Sequence, residues 1–359
     1  MVEKQTRPVN DIGIAKRHKI AQSLRKAIVS GKYQPGQQLP TRVVLEKRFK
    51  VSPETLQRSF DELKEDGFLR AQRRGGTFVV DYPPHLHHYA LALGSDSQDP
   101  GFTRFFDVLV EQAQVFESEI PAQVPVYLGV AERHENPGIQ KLTHDLNHYR
   151  VAGVIYCGYV PDRFLQESLP QVLISSHTDI QPMQFPLLAM SNEHYAQKAV
   201  QYFAEQGCKR LGVLSVTGWE KSHQPHLIKA CRQAGIAFED QWFQMVSLRE
   251  PQNARRVTHL LMHADHKRRP DALLVADDNI IEHVKSGLAD AEVDSSKDVT
   301  IVAHANFPSP IAQGLTMRRL GYDAREVIRN GIQLINEMKQ EDFQPYVLPI
   351  EPYFEDELR

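Results

Sequence analysis

Four polar side chains, Glu54, Gln57, Arg58 and Asp61, follow one another at the spacing of a single helical face. The first three carry groups that read base edges in the major groove of DNA: glutamine pairs with adenine, arginine with guanine, and glutamate accepts from cytosine N4. Asp61 would repel phosphate, so we expect it to lie beyond the groove. The face therefore indicates a helix that reads DNA; the alternative is a polar face that contacts only water.

The other face of this segment carries Leu56, Phe60 and Leu63, which predicts a helix packed on a core. Ser52 is suited to cap its start and Pro53 to its first turn. A shorter segment, which Thr41 is suited to cap, precedes it, so the pair predicts a helix-turn-helix. The residues expected to contact bases or the DNA backbone are Thr41, Arg42, Ser52, Glu54, Thr55, Gln57, Arg58, Arg73, Arg74 and Gly75.

A first helix and a β-hairpin complete this N-terminal unit. Residues 17–31 place apolar side chains at helical spacing, with basic ones such as Arg25 elsewhere around the helix. Two short β-like runs, 68–71 and 77–80, joined through a Gly-Gly step, predict a wing. The Pro83-Pro84 step then interrupts the pattern. We therefore assign residues 1–80 to a winged helix-turn-helix, 81–87 to a linker and 88–359 to a second domain.

Charge divides the chain at the same place. Residues 1–80 hold 17 Lys and Arg against 8 Asp and Glu, whereas the remaining residues hold 25 against 37. The net charge of -3 conceals this asymmetry. A basic head on an acidic body points to a polyanionic partner for the head alone, and we expect double-stranded DNA.

Beyond residue 88, strand-like and helix-like segments alternate, which predicts an α/β fold with parallel sheets covered by helices. The segment exceeds the usual length of one doubly wound sheet. We therefore expect two similar lobes around a cleft rather than one larger sheet. The predicted strands are 89–93, 124–130, 151–157, 171–175, 186–190, 210–216, 272–276 and 299–303, and the predicted helices are 102–117, 192–206, 225–234, 278–289 and 323–339.

Ligands of such folds bind beyond the carboxyl ends of parallel strands. Trp219 could stack on a ring, while His223 and Asp278 could hydrogen-bond. A helix cap or a contact between lobes is the alternative for Asp278. The effector-binding residues expected in the cleft are Ser95, Asp96, Trp219, His223, Asp278 and Asn306.

Several function classes lack support in the sequence. The cysteines number three, are widely spaced and contain no CxxC, which favours a reducing compartment. No run of about 18 apolar residues predicts a membrane span. His85, His87 and His88 have no neighbouring Cys or carboxylate, so we interpret them as an incidental cluster rather than a metal site. Common enzyme motifs are missing. We therefore expect a cytoplasmic protein without catalytic residues, cofactor or metal.

The segments LPTR (39–42), VSPETLQR (51–58) and RGGTFV (74–79) resemble the GntR winged-helix family. The resemblance covers residues 15–80 and implies a DNA-binding scaffold. Val43, Pro53 and Gln57 stand at positions where that family usually has arginine. The resemblance therefore implies the DNA-binding scaffold of the family but not its usual contacts with bases.

The second domain resembles the LacI-type sensor domain, which is built like a periplasmic sugar-binding protein. The resemblance lies in LAMSN (188–192), GCKRLGVL (207–214), PDALLVADD (270–278) and DVTIVA (298–303). It implies a two-lobed effector-binding and dimerisation domain. His223 stands where the family often has a ligand-binding arginine, and Ala305 where it often has a carboxylate. We therefore expect common hexoses and purines to bind poorly.

Together these features predict a homodimeric transcription regulator, with repression the expected mode. One module covers only a half-site, so a palindromic operator matches a two-fold dimer. A small polar ligand, with sugars and their derivatives among the candidates, would control operator affinity. Two alternatives remain: a ligand-binding protein or enzyme with a non-functional head, and a DNA-binding regulator controlled by protein partners.

Overall fold

A computed structural model describes residues 11–72, 75–99, 102–119, 121–132, 134–158, 160–165, 169–175, 185–263, 265–310 and 314–358. Residues up to 80 form the head and those from 88 onward form the body. The expected fold class is confirmed: a helical head with a small wing precedes two sheets that are parallel apart from one short strand.

The head consists of three helices and a two-stranded hairpin. Ser52 accepts a hydrogen bond from the Thr55 amide at 3.3 Å, and Pro53 occupies the first helical position, so the third helix begins as expected. Thr41 stands before the second helix, but its side chain makes no capping hydrogen bond. The elements are α1 (Asp11–Val29), α2 (Arg42–Phe49), α3 (Pro53–Glu65), β1 (Leu69–Gln72) and β2 (Gly76–Val79).

One apolar cluster holds the head together. Leu24 and Ile28 of α1 pack against Leu45 of α2 and Phe60 of α3, all buried. The antiparallel hairpin adds Val79 to this core, with Leu69 opposite Val79 in the register. Because the core fixes α3 from behind, the opposite face of α3 is left to the solvent or a partner.

The body alternates strands and helices. A short helix, α4 (Pro84–His87), lies in the linker before it. The elements of the body are β3 (Tyr89–Leu93), α5 (Arg104–Glu119), β4 (Val126–Tyr127), α6 (Pro137–Asn147), β5 (Gly153–Cys157), β6 (Gln171–Ser175), β7 (Leu187–Met190), α7 (Asn192–Glu205), β8 (Leu211–Val216), α8 (Trp219–Ala234), β9 (Phe243–Val246), α9 (Asn253–Met262), β10 (Ala272–Val275), α10 (Ile281–Asp290), β11 (Thr300–Phe307), β12 (Arg318–Asp323), α11 (Ala324–Glu337), β13 (Val347–Ile350) and β14 (Tyr353–Phe354).

Two six-stranded sheets define two lobes. The sheet of lobe 1 has the order β13-β7-β6-β5-β3-β4, and that of lobe 2 the order β14-β12-β11-β10-β8-β9. Every pairing is parallel except that of β12 with β14. The chain passes between the sheets after β7, after β12 and after β13. Such multiple crossings place the carboxyl ends of both sheets around a shared cleft.

Several boundaries differ from the sequence-based predictions. Helix α8 begins at Trp219, six residues before the predicted start at Pro225, which lies inside the helix. A 3-10 turn at Asp278–Ile280 precedes α10, where one continuous helix was expected. Three helices and four strands were not predicted from the sequence: α4, α6, α9, β9, β12, β13 and β14. Helix α4 begins at Pro84, where the Pro83-Pro84 step was expected to interrupt regular structure.

Candidate functional site

The exposed face of α3 carries its candidate reading groups in paired form. Arg58 Nη2 donates to Glu54 Oε1 at 2.7 Å, and both side chains are largely exposed. Gln57 Nε2 donates to Asp61 Oδ1 at 2.7 Å. Reading a base edge with Gln57 or Arg58 therefore requires exchanging an intrahelical contact for one with DNA. For the exposed Arg58–Glu54 ion pair this exchange costs little.

Asp61 lies toward the C-terminal half of α3. Lys64 donates to its carboxylate at 2.9 Å, and this contact lowers the pKa of Asp61. Asp61 and Arg58 share a cavity of about 310 Å³ with His144 and His148 of the body. Arg58 and Asp61 thus both lie on the side of α3 that borders the body.

The remaining head candidates surround the start of α3. The guanidinium carbon of Arg42 lies 5.9 Å from the Phe60 ring centroid. The hydroxyl groups of Ser52 and Thr55 are 3.0 Å apart. The Gly75 carbonyl accepts a hydrogen bond from Gln38 Nε2 at 2.6 Å, at the base of the wing tip. Arg73 and Arg74 lie outside the described residues.

A buried ion-pair network, here called the junction cluster (Arg25, Asp66, Arg150 and Asp145), connects head and body. Arg25 is 2% exposed and forms a close ion pair with Asp66. Arg150 of the body lies 3.8 Å from Asp66 and 3.0 Å from Asp145. The sequence analysis grouped Arg25 with the basic residues outside the apolar face of α1 and did not foresee its burial.

Neutral histidines line the same junction. Burial lowers the pKa of His85 and of His88 to about 4, and His85 stacks on Phe68 of the head at 5.8 Å between ring centroids. The carboxylate of Asp145 opposes this shift at His88, but burial outweighs it. The two histidines therefore contribute to the contact between head and body as uncharged rings.

A cavity of about 490 Å³ lies between the lobes at the carboxyl ends of both sheets. Lobe 1 contributes the ends of β5, β6 and β7 and the start of α5. Lobe 2 contributes the ends of β8, β10, β11 and β12. The lining residues are Thr103, Phe105, Phe106, Cys157, Gly158, Ile174, Ser175, Met190, Asn192, Trp219, His223, Ala276, Asp277, Asp278, Asn279, His304, Asn306 and Tyr322.

Four of the six residues expected in the cleft line this cavity: Trp219, His223, Asp278 and Asn306. The other two do not belong to the described lining. Asp96 instead accepts a hydrogen bond from the Gln98 amide at 3.1 Å, and the Ser95 carbonyl accepts one from the Gly129 amide at 3.0 Å. The loop after β3 is thus held in contacts of its own, and α5 supplies that side of the wall.

Trp219 and His223 form one aromatic surface. Their rings are nearly parallel, with centroids 4.1 Å apart, because residues four apart on a helix lie one above the other. The predicted helix, 225–234, does not include either residue, whereas both occupy the first turns of α8. The helix fixes the two rings relative to each other and to the cavity.

Carboxylate and amide groups form the facing wall. Asp278 is buried and accepts from Asn306 Nδ2 at 3.0 Å. Asp277, rather than Asp278, caps the following turn, accepting from the Asn279 amide at 2.8 Å. Burial and the neighbouring Asp278 raise the pKa of Asp277. Across the cleft, the Arg104 amide donates to Asn279 Oδ1 at 3.1 Å, so the two lobes touch here.

Seven polar lining residues were not foreseen: Thr103, Ser175, Asn192, Asp277, Asn279, His304 and Tyr322. Asp277 was overlooked because its neighbour Asp278 seemed to open the helix. Tyr322 lies on β12, which was not predicted as a strand. His304 lies within β11 and was taken for the region after that strand's end.

Within the described part of the chain, no three His, Cys, Asp or Glu side chains are grouped so that they could hold a metal ion. None of the described helices has the length and apolar character needed to cross a membrane.

Comparison with known families gives one match in the head and one in the body. Residues 16–79 match the family of bacterial regulatory proteins known as the gntR family. Residues 200–349 match the periplasmic binding protein-like domain. No curated protein matches the chain in sequence.

Solved structures share the fold of the body. A LacI-family regulatory protein from Chloroflexus aggregans aligns with a TM-score of 0.60 at 13% identity, over 74% of this chain and 96% of that one. A LacI-family regulator from Lactobacillus casei with bound glucose aligns with 0.54 at 15%, over 75% and 98%. The CelR–cellobiose complex aligns with 0.58 at 19%, over 85% and 90%. At these identities the likeness concerns the fold.

Proposed function

We propose that this transcription regulator of the GntR/LacI type binds a palindromic operator as a homodimer in the cytoplasm, and that a small polar ligand between its lobes sets its operator affinity. The observation that carries the proposal is the cavity of about 490 Å³, whose wall is assembled from both lobes. A ligand that touches both walls prefers one arrangement of the lobes. Such a preference is what ligand control of a second site requires.

The DNA-binding half of the proposal rests on charge and on the free face of α3. The head carries 17 basic against 8 acidic residues, which supports phosphate binding. Glu54 and Arg58 are exposed at the N-terminal half of α3, where a recognition helix meets base edges. A dimer doubles this contact area on a two-fold site, which brings affinity into the range of specific regulators.

The junction cluster supplies a physical connection between the two halves. Arg150 bridges Asp66, at the end of α3, and Asp145, in α6 of lobe 1. Lobe 1 also forms half of the cavity wall. A change in how the lobes meet would therefore alter the surface against which α3 is held. The direction of that change would decide whether the ligand relieves or promotes repression.

Relatives in the fold make a small polar ligand the natural occupant. Regulators with the same fold hold glucose or cellobiose in their solved complexes. Amide, carboxylate and imidazole groups beside aromatic rings, as in this cavity, suit a polar molecule with an apolar face. Sugars, sugar derivatives and other small polar metabolites are therefore the set to screen.

The test begins with an operator selected from random DNA by the full-length protein. Metabolites that raise its melting temperature are then assayed for their effect on operator affinity. A ligand coupled by about 1 to 3 kcal/mol changes that affinity roughly 5- to 150-fold. We expect His223→Ala to abolish the response and His226→Ala, on the same helix but outside the described cavity lining, to retain it.

Two outcomes would contradict the proposal. If the protein selects no DNA sequence, the head is non-functional and a ligand-binding protein is the better description. If it selects an operator but no stabilising metabolite changes operator affinity, control belongs to a protein partner.

A further inference from the structure

The cavity between the lobes has an unbalanced charge. Its described lining includes two adjacent carboxylates, Asp277 and Asp278, and neither Lys nor Arg. Asn306 donates to Asp278 at 3.0 Å, and the Asn279 side chain donates to Asp277 at 2.8 Å. Amide donors of this kind orient carboxylates but bring no positive charge.

Two neighbouring titratable groups compensate the pair only in part, since the net effect on Asp277 is still a raised pKa. Arg319 interacts electrostatically with Asp278, but its guanidinium donates to Glu355 and Ser309. His304 acts on Asp277 electrostatically from the neighbouring strand. Burial and the closeness of the two carboxylates raise the pKa of Asp277, so keeping both groups ionised costs free energy. A bound cation would offset that cost.

Aromatic rings form another part of the wall. The Trp219 and His223 rings lie parallel on lobe 2, and Phe105 and Phe106 come from lobe 1. Such rings cover hydrocarbon and attract a cation to their faces. Tyr322 also lines the cavity, is 4% exposed, and its hydroxyl has no hydrogen-bond partner within the described residues. An unpartnered buried hydroxyl indicates that a polar group is still to be supplied.

We infer that the regulatory ligand is a small organic cation: a protonated amine whose ammonium group lies beside Asp277 and Asp278 and whose carbon skeleton packs on the aromatic wall. The inference rests on the proposed function, since it assumes that this cavity holds the regulatory ligand. A neutral polyol would leave the carboxylate pair uncompensated. An anion, such as a sugar phosphate, would be repelled by it.

The volume limits the size of this cation. A cavity of about 490 Å³ falls within the ordinary range for small-molecule sites. It accommodates an amino sugar or an aromatic amine. The inter-lobe hydrogen bond from Arg104 to Asn279 lies at the rim, next to Asp277. An ammonium group at Asp277 would therefore sit where lobe 1 and lobe 2 meet, the position from which charge can affect closure.

The test uses titration calorimetry on the full-length protein with pairs of probes that differ chiefly in the charged group: glucosamine and glucose, phenethylamine and phenethyl alcohol, ethanolamine and ethylene glycol. We expect at least one amine to bind about tenfold or more tightly than its neutral partner. Asp277→Asn should remove that preference. Asp265→Asn, which removes the same charge from a 95% exposed position of lobe 2, should keep it.

The results separate this inference from the proposed function. Three results would each overturn the cation assignment. The neutral probes bind as well as the amines, the preference for amines survives Asp277→Asn, or no amine binds. A neutral metabolite that changes operator affinity would at the same time uphold ligand control. An amine that binds through Asp277 without changing operator affinity would uphold the cation site and remove its regulatory role.

Discussion

The substitution Asp66→Asn tests whether the junction cluster stabilises the protein. It removes the carboxylate that faces Arg25, which is 2% exposed, and leaves the guanidinium with Glu62 at 3.6 Å. Removing one partner of a buried ion pair typically costs about 3 to 5 kcal/mol, because a buried charge is left without compensation. Since Glu62 and residual solvent remain, we expect about 2 to 4 kcal/mol.

Asp61→Asn provides a matched control on the same helix. Asp61 is 49% exposed and pairs with Lys64 at 2.9 Å, so its loss should cost less than about 1 kcal/mol. The two variants remove the same group within five residues of each other but differ in burial. Any larger effect at Asp66 therefore reports the buried cluster rather than the helix.

Urea unfolding followed by circular dichroism measures both variants. With a denaturant slope of about 1 to 3 kcal/mol per molar for a small domain, Asp66→Asn should lower the midpoint of the head's transition by roughly 0.7 to 4 M. Equal midpoints for Asp66→Asn and Asp61→Asn would refute the reasoning. That result would mean that Arg25 reaches water or another acceptor when Asp66 is removed.

Three further predictions concern DNA binding and pH. Arg58→Ala should relax base preference and Arg74→Ala should weaken all sequences alike, as judged on operator and scrambled DNA; the same loss of specificity in both would show that the assignment is wrong. Operator affinity should fall roughly 10³- to 10⁵-fold between about 50 and 200 mM salt, and a flat profile would contradict phosphate-based binding. Burial lowers the pKa of His85 and His88 from 6.5 to about 4. Above pH 6.5 both rings are neutral in the folded and the unfolded state, so they do not reduce stability. As the pH falls from 6.5 toward 4, the unfolded state takes up these protons first, so the free energy of unfolding decreases. Allowing for solvent screening, each should contribute about 1 to 2 kcal/mol to that loss, and a double His→Gln variant with an unchanged pH profile would rule them out as its source.

The sequence predicted what depends on local pattern. Ser52 and Pro53 identified the start of α3, and apolar spacing placed Leu56, Phe60 and Leu63 in the core, because a cap and an amphipathic stripe are visible in a few consecutive residues. Strands buried on both faces, such as β3, appeared as continuous apolar runs.

What the sequence did not predict depends on distant partners. Strand β12 begins with Arg318-Arg319, and Arg319 is buried only because Glu355 and Ser309 accept its hydrogen bonds. Strand β13 contains Pro349, which lacks a backbone N–H. The proline is tolerated because β13 lies at the edge of its sheet. Arg25 is buried for the same kind of reason, since Asp66 is 41 residues away. Patterns within a short window cannot show such compensation, so Tyr322, on β12, was missed with its strand.

The central claim is that a ligand between the lobes and the operator at the head influence each other. Titration calorimetry tests it most directly, by measuring the affinity of the most stabilising metabolite for free protein and for operator-bound protein. Linkage requires these two affinities to differ by the same factor by which the metabolite changes operator affinity. We predict a difference of roughly 5- to 150-fold. Equal affinities in the two states would contradict effector control and leave regulation by a protein partner as the better account.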